Sequence, residues 1–232
     1  MSQIAERMQA VRERISRAAV EAGRRSEEIR LLVVSKTFVS GDIAEAAAAG
    51  QSAFGENYVQ EAIAKIAALR HLPQIEWHLI GPLQANKTAA AAANFAWVHS
   101  IDREKIAERL SAARPVGAPP LSVCVQVNIS GETTKSGVAP EDAIGLAKSV
   151  AAMPGLRLRG LMGIAEPSGE AAVPRLQFRL LRELRDELRR QGLELDTLSM
   201  GMSADLEAAI AEGSTMVRIG SAIFGARHRE TT

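Results

Sequence analysis

The chain alternates short apolar runs with longer segments whose apolar residues recur every three or four positions. Residues 2–23 read as one helix, because Ile4, Met8, Val11, Ile15 and Ala18 or Ala19 fall at helical spacing with charged residues between them. The runs that follow predict strands at 30–36, 51–55, 75–80, 96–100, 121–128, 156–162, 196–200 and 215–219. Helical patterns separate them at 41–49, 57–69, 84–93, 103–113, 140–152, 171–191 and 203–211, with a short one near 221–225. Strands that each precede a helix imply a parallel sheet covered by helices. An open doubly wound sheet usually has fewer strands, and eight units in about 200 residues fit a compact (β/α)8 TIM barrel. The expected architecture is a single-domain α/β barrel over residues 29–227 with an additional N-terminal helix. No Ser/Gly-rich linker divides the chain, and "SAARPVGAPP" at 111–120 reads as a helix-to-strand loop.

Composition narrows the function classes. Of 232 residues, 47% are hydrophobic, as in an ordinary packed protein. A net charge of +1 gives no global field to attract nucleic acid or a membrane. Aromatics at 3% leave no stacking platform for single-stranded nucleic acid. Cys124 is the sole cysteine, which excludes an internal disulfide and a cysteine-based metal site. His71, His78, His99 and His228 are scattered without ligand spacing. No stretch is apolar enough to span a bilayer, and the N-terminal helix lacks the apolar core of a signal peptide. A reduced, cytoplasmic protein is expected. The absence of an evident dimerisation segment makes a monomer the expected state.

In such a barrel, chemistry sits at the C-terminal strand ends. Those ends gather Lys36, Glu56-Asn57, His78 to Gly81, His99-Ser100, Asn128 to Ser130, Met162-Gly163, Ser199 to Ser203 and Arg218 to Ser221 into one ring. Lys36 closes the apolar run Leu31–Val34. A partly buried lysine can form a Schiff base with a carbonyl. A lysine that snorkels to solvent, or pairs with Glu56, explains the position as well when it is taken alone. "LSMGMSADLEAAIAEG" puts Ser203 in N-cap position before an apolar-periodic helix. Free N–H groups at a helix start bind phosphate. Asp205 in the first turn already complements the dipole, which fits Ser203 as a plain cap equally well. "TMVRIGSAIFG" runs from strand through Arg218 to Gly220-Ser221, which open a short turn. Gly220 has no side chain to keep a phosphate from its backbone. Two adjacent anion-binding turns beside a lysine on the neighbouring strand are more telling than any one of them.

The motifs "LLVVSKTF", "FGENYVQE", "WHLIGPLQANK", "VNISGETTKSG", "LRGLMGI", "LSMGMSADLEAAI" and "VRIGSAIFG" follow one another in order, within a resemblance that covers about residues 1–227. In them the chain resembles the pyridoxal-phosphate homeostasis protein family, the YggS-like proteins, which is similar in fold to the barrel of bacterial alanine racemases. The resemblance implies that Lys36 holds pyridoxal 5′-phosphate (PLP) as an internal aldimine. It implies that Ser203, Gly220 and Ser221 hold the phosphate and that Arg218 faces the pyridine nitrogen. Asn57 and Met162 would lie near the ring, and His78 at the mouth. The implied role is vitamin B6 homeostasis, with delivery of PLP to apo PLP-dependent enzymes as an expectation.

A guanidinium donates and does not accept, so Arg218 would meet an unprotonated pyridine nitrogen. That weakens the electron sink, suits a carrier or a racemase-like site, and argues against a transaminase. Racemisation needs two bases. The resemblance implies that alanine racemases draw their second, a tyrosine, from a separate C-terminal domain, whereas this chain stops at Thr232. Tyr58 begins the helix after strand two, and nothing in the sequence orients His78, His99 or Cys124 as a replacement. A PLP-holding protein rather than an enzyme is therefore expected. The alternatives are an amino-acid racemase of the same fold, and a barrel that binds a phosphate ligand without PLP, with Lys36 structural. "SGETTKSG" at 130–137 lacks the Gly-Lys-Ser/Thr order of a phosphate loop. It reads as a loop bordering the mouth, with Lys135 as a secondary docking amine, or as a solvated polar loop. Lys87 is a surface charge or a second anion contact.

Overall fold

The computed structural model describes residues 2–132, 134–168, 170 and 172–225. His228, Thr133 and the last residues of the expected barrel range lie outside them. The apolar runs form Arg30–Val34 (β1), Ala53–Glu56 (β2), Glu76–Leu79 (β3), Trp97–Ile101 (β4), Leu121–Val127 (β5), Leu156–Gly163 (β6), Thr197–Ser199 (β7) and Met216–Ile219 (β8). They pair in chain order, all parallel, into a closed barrel. The helices are Gln3–Glu21 (α1), Ser40–Ala48 (α2), Val59–Ala68 (α3), Thr88–Asn94 (α4), Glu104–Ala113 (α5), Pro140–Ala151 (α6), Ala172–Arg190 (α7), Leu206–Ala211 (α8) and Ser221–Phe224 (α9). Closure pairs β1 with β8, setting Leu32 against Arg218 and Val33 against Ile219. The strand that leads to Lys36 therefore lies beside the one that carries Arg218.

Alternation along each strand separates two environments. Outward residues such as Val33, Phe54, Leu79, Val98, Val123 and Val217 pack under the helices in one large apolar cluster. Inside the barrel the apolar groups are two small sets, Leu32–Ala53–Met216 and Trp97–Cys124–Met162. Such an interior is ordinarily filled with layers of bulky branched side chains. Here Glu76, His78, His99, Ser199 and Arg218 run through it, joined by hydrogen bonds.

Helix α1 buries Met8, Val11, Ile15, Ala18 and Ala19 and packs against α2, α8 and α9. Its Arg14 reaches the far side of that contact, pairing with Glu207 at 2.5 Å and donating to the Ser203 carbonyl at 2.8 Å. The added helix thus braces the loop between β7 and α8. Among the described residues no helix is long and apolar enough to cross a membrane. None of their His, Cys, Asp and Glu side chains gather in a group of three that could hold a metal.

Candidate functional site

The C-terminal mouth of the barrel holds a cavity of about 350 Å³. Lys36, Asn57, Ser203, Arg218, Gly220 and Ser221, six of the eight residues expected at a site, line it. His78 and Met162 do not. Both are fully buried inside the barrel, Met162 against Trp97 and Cys124. The reason is depth along the strand. Side chains two apart share a face, and Ile80 and Ile164, each two positions further on, take the mouth layer. His78 and Met162 sit one layer lower, about 6.6 Å down at 3.3 Å per residue. On β1 and β8 the cavity reaches one layer deeper, to Val34 and Arg218, two before Lys36 and Gly220.

The backbone on both sides of Lys36 is clamped. Ser35 donates its hydroxyl to Glu56 at 2.6 Å, and Lys65 donates to the Ser35 carbonyl at 2.8 Å. Lys65 also bonds both Glu56 oxygens, at 2.8 and 3.0 Å, and Glu61 at 2.6 Å. Glu61 in turn accepts the Thr37 N–H at 2.7 Å. Thr37 has φ 69°, the one non-glycine residue with positive φ among those described. A β-branched residue there costs about 1–2 kcal/mol, which the bond to Glu61 helps offset. Glu56, considered above as a partner for Lys36, is engaged by Lys65 and Ser35. Burial raises its carboxyl above the usual range, and Lys65 and Ser35 pull it back. Lys65 reads from the sequence as one more exposed helix charge, and no periodic signal marks it.

Arg218 is 5% exposed. One terminal nitrogen donates to the Ser199 carbonyl at 2.5 Å and to its hydroxyl at 3.0 Å, and the other to the Gly163 carbonyl at 3.0 Å. Burial pushes the guanidinium down to about 10, with Asp205 opposing, so it is cationic at neutral pH.

The two turns differ from expectation in one respect. Helix α8 starts at Leu206 with Asp205, not Ser203, in the cap position. Asp205 accepts the Met202 N–H at 2.5 Å and closes a tight turn that delays the helix. Ser203 stays on that turn, facing the cavity, and its carbonyl is taken by Arg14. After β8, Gly220 precedes α9 and accepts from Ile223 and Phe224 at 2.9 and 3.0 Å. The first N–H groups of a helix have no intrahelical acceptor and point outward from its start. A Cβ on Gly220 would stand 2.9 Å from the Val34 carbonyl, so glycine lets α9 approach the strand leading to Lys36. Phe38 stacks on Phe224 with ring centroids 4.6 Å apart and closes that flank.

A second hollow of about 230 Å³ adjoins the first, sharing Asn57, Ile80 and Ile164 and bounded by Thr134, Lys135 and Ser136. The 130–137 loop thus borders the mouth, with Lys135 paired to Glu132 at 3.4 Å. Lys87 lines neither hollow.

Residues 7–228 match the family model described as alanine racemase, N-terminal domain. A protein of Pseudomonas aeruginosa named pyridoxal phosphate homeostasis protein is 58% identical over 98% of this chain and 97% of its own length. The chain belongs to the pyridoxal phosphate homeostasis protein family. Another protein of that name, from Escherichia coli strain K12, is 51% identical over 98% of both chains. Among solved structures, that of PipY of Synechococcus elongatus PCC7942, described as having PLP bound, superposes with a TM-score of 0.83. It is 38% identical and is matched over 96% of this chain and 100% of its own. The matched residues 7–228 take in all eight strands of the barrel and the residues that line its mouth.

Proposed function

We propose that this chain holds PLP through Lys36, keeps its aldehyde covered, and passes it to apo PLP-dependent enzymes. One observation carries the proposal: an amine, a buried guanidinium and two backbone turns suited to phosphate face a single cavity. PLP brings an aldehyde that condenses with an amine and a pyridine ring that draws electrons. The residues present fit it. Lys36 is the amine that bonds the aldehyde. Arg218 donates toward the ring nitrogen and cannot protonate it at neutral pH, which leaves the ring a poor electron sink. Ser203, Gly220 and Ser221 offer hydroxyl and backbone donors to the phosphate. Asn57 stands beside the ring. His78 and Met162 take no direct contact in this arrangement and support the layer above. The volume falls at the small end of ligand sites, about 300–1,000 Å³. The PLP-bound relative of the same fold supports the assignment.

Titration with PLP tests binding: wild type develops a visible imine band that Lys36→Ala lacks. A barrel that binds phosphate ligands alone gives no such band. Delivery is tested by mixing loaded protein with an apo PLP enzyme and a trap for free PLP. Activation that persists with the trap supports transfer; activation that the trap abolishes leaves storage alone. Loss of optical rotation from single-enantiomer amino acids at about 1 s⁻¹ or faster replaces the carrier role with racemisation. The same proposal has the protein act as a cytoplasmic monomer, which sedimentation of the loaded protein tests for oligomeric state.

A further inference from the structure

The polar line that runs inside the barrel from Arg218 has no part in binding PLP directly beyond Arg218 itself. Arg218 donates to Ser199 Oγ at 3.0 Å. Ser199 Oγ and His99 Nδ1 are 2.9 Å apart, His99 Nε2 and His78 Nδ1 2.9 Å, and His78 Nε2 and Glu76 Oε1 2.8 Å. Glu76 also pairs with Arg30 at 2.7 Å. Arg30 and Glu76 are the first residues of β1 and β3, so the line runs from the cavity to the opposite end of the barrel. His78, His99 and Ser199 are fully buried along it.

With both rings held neutral by burial, the carboxylate end assigns the protons along the line. Arginine has no acceptor, so Ser199 Oγ accepts from it and keeps its own hydrogen free to give to His99 Nδ1. An ionised carboxylate only accepts, so His78 carries its hydrogen on Nε2 and offers Nδ1 as acceptor. His99 then donates from Nε2. Both rings are neutral, both are Nε2–H tautomers, and all donors point from Arg218 toward Glu76. The electrostatics agree. Burial pushes His78 down to about 4, against the pull of Glu76. Burial also holds His99 well below its ordinary value, aided by His78, Arg218 and Arg30. Glu76, bonded to His78 and close to Arg30, drops to about 2. Trp97 stacks on His78 at 5.3 Å and lies tilted against His99 at 5.5 Å, which keeps both rings from turning.

We propose that Ser199, His99, His78 and Glu76 are positioning residues that fix where the Arg218 guanidinium sits against the bound cofactor ring. The line carries position, not protons: a relay along it would take a proton from the Arg218 guanidinium and leave it on the far more acidic Glu76, and the reverse would require Arg218 to accept one. A break anywhere leaves a buried donor or acceptor unmatched, and the neighbours shift to satisfy it. This rests on Arg218 facing the cofactor, as proposed above.

His99→Leu breaks the line at its centre. His99→Gln restores it, because a carboxamide offers an acceptor oxygen to Ser199 and a donor nitrogen to His78. The readouts are the pH titration of the imine band of PLP-loaded protein and the rate of PLP release. His99→Leu is expected to move the titration by about half a pH unit or more and to speed release about tenfold, as loss of a charge-linked hydrogen bond would. His99→Gln is expected to stay within about twofold of wild type. A folded His99→Leu that matches wild type in both readouts overturns the proposal, as do equal changes in the two variants. A second measurement needs no variant and no cofactor: histidine ¹⁵N spectra of wild type. Two buried rings that are neutral Nε2–H tautomers at pH 7 are expected; an Nδ1–H tautomer or a charged ring there overturns the line. A wild type without an imine band overturns PLP binding instead, and the ¹⁵N result still decides the line.

Discussion

Burying His78 neutral ties stability to pH. Its ordinary value of 6.5 falls to about 4 in the folded protein, because burial penalises the charged ring more than Glu76 favours it. Between those values the unfolded chain binds the extra proton, so stability is full above 6.5 and is lost as pH falls toward 4. At about 1.36 kcal/mol per pH unit the full effect is about 3 kcal/mol, of which about 2 kcal/mol is lost between pH 8 and pH 5. His99 acts in the same direction. Glu56 and Asp205, both raised by burial, act in the opposite one, since a carboxyl whose folded value is raised contributes stability that is lost as pH rises through that value. The comparison with His78→Gln isolates the one ring: a carboxamide keeps a donor toward Glu76 and an acceptor toward His99 but does not titrate. Urea unfolding of both proteins, followed by the fluorescence of Trp77 and Trp97, is to be measured at pH 8, 6.5 and 5. The stability of wild type relative to His78→Gln should fall by about 2 kcal/mol across that range. A difference that stays constant to within about 0.3 kcal/mol would mean that His78 charges as readily in the folded chain as in the unfolded one, and would refute the reasoning.

Lys65→Met leaves Glu56 buried without its cation and should cost about 3–5 kcal/mol in urea unfolding, most of it recovered by adding Glu56→Leu. If the single variant is as stable as wild type, the clamp on Ser35 and Thr37 has no energetic weight. Gly220→Ala places a methyl against the Val34 carbonyl and should cost about 1–3 kcal/mol of stability while weakening PLP binding, read by absorbance titration. Arg218→Ala should weaken PLP retention without abolishing the imine band; unchanged affinity and spectrum would remove Arg218 from the ring nitrogen.

Much of the barrel is legible in the periodicity, since each strand and helix is its own local signal. Lys36, Arg218 and Gly220 could be placed at the mouth because each lies at or just past the end of an apolar run. Depth was not legible. His78 and Ile80 share a face by parity, as do Met162 and Ile164, and only the closed barrel shows which member of each pair meets the cavity. The sequence points to Ser203 as the cap of helix α8 with Asp205 in its first turn, and the bond from Met202 to Asp205 instead makes Asp205 the cap and starts the helix later. Lys65 and Glu56 come together through the packing of α3 on β2, and the histidine line through side chains of β3, β4 and β7. Contacts of that kind leave no mark on local spacing. A run of polar residues inside a barrel becomes visible only once the strands are closed around it.

Attachment of PLP at Lys36 is tested most directly by loading the protein with PLP, reducing with borohydride, and locating the added mass by peptide mass spectrometry. A phosphopyridoxyl group on the peptide carrying Lys36, lost in Lys36→Ala, is the predicted result. Modification of Lys87, Lys135 or another amine with Lys36 unmodified would contradict it.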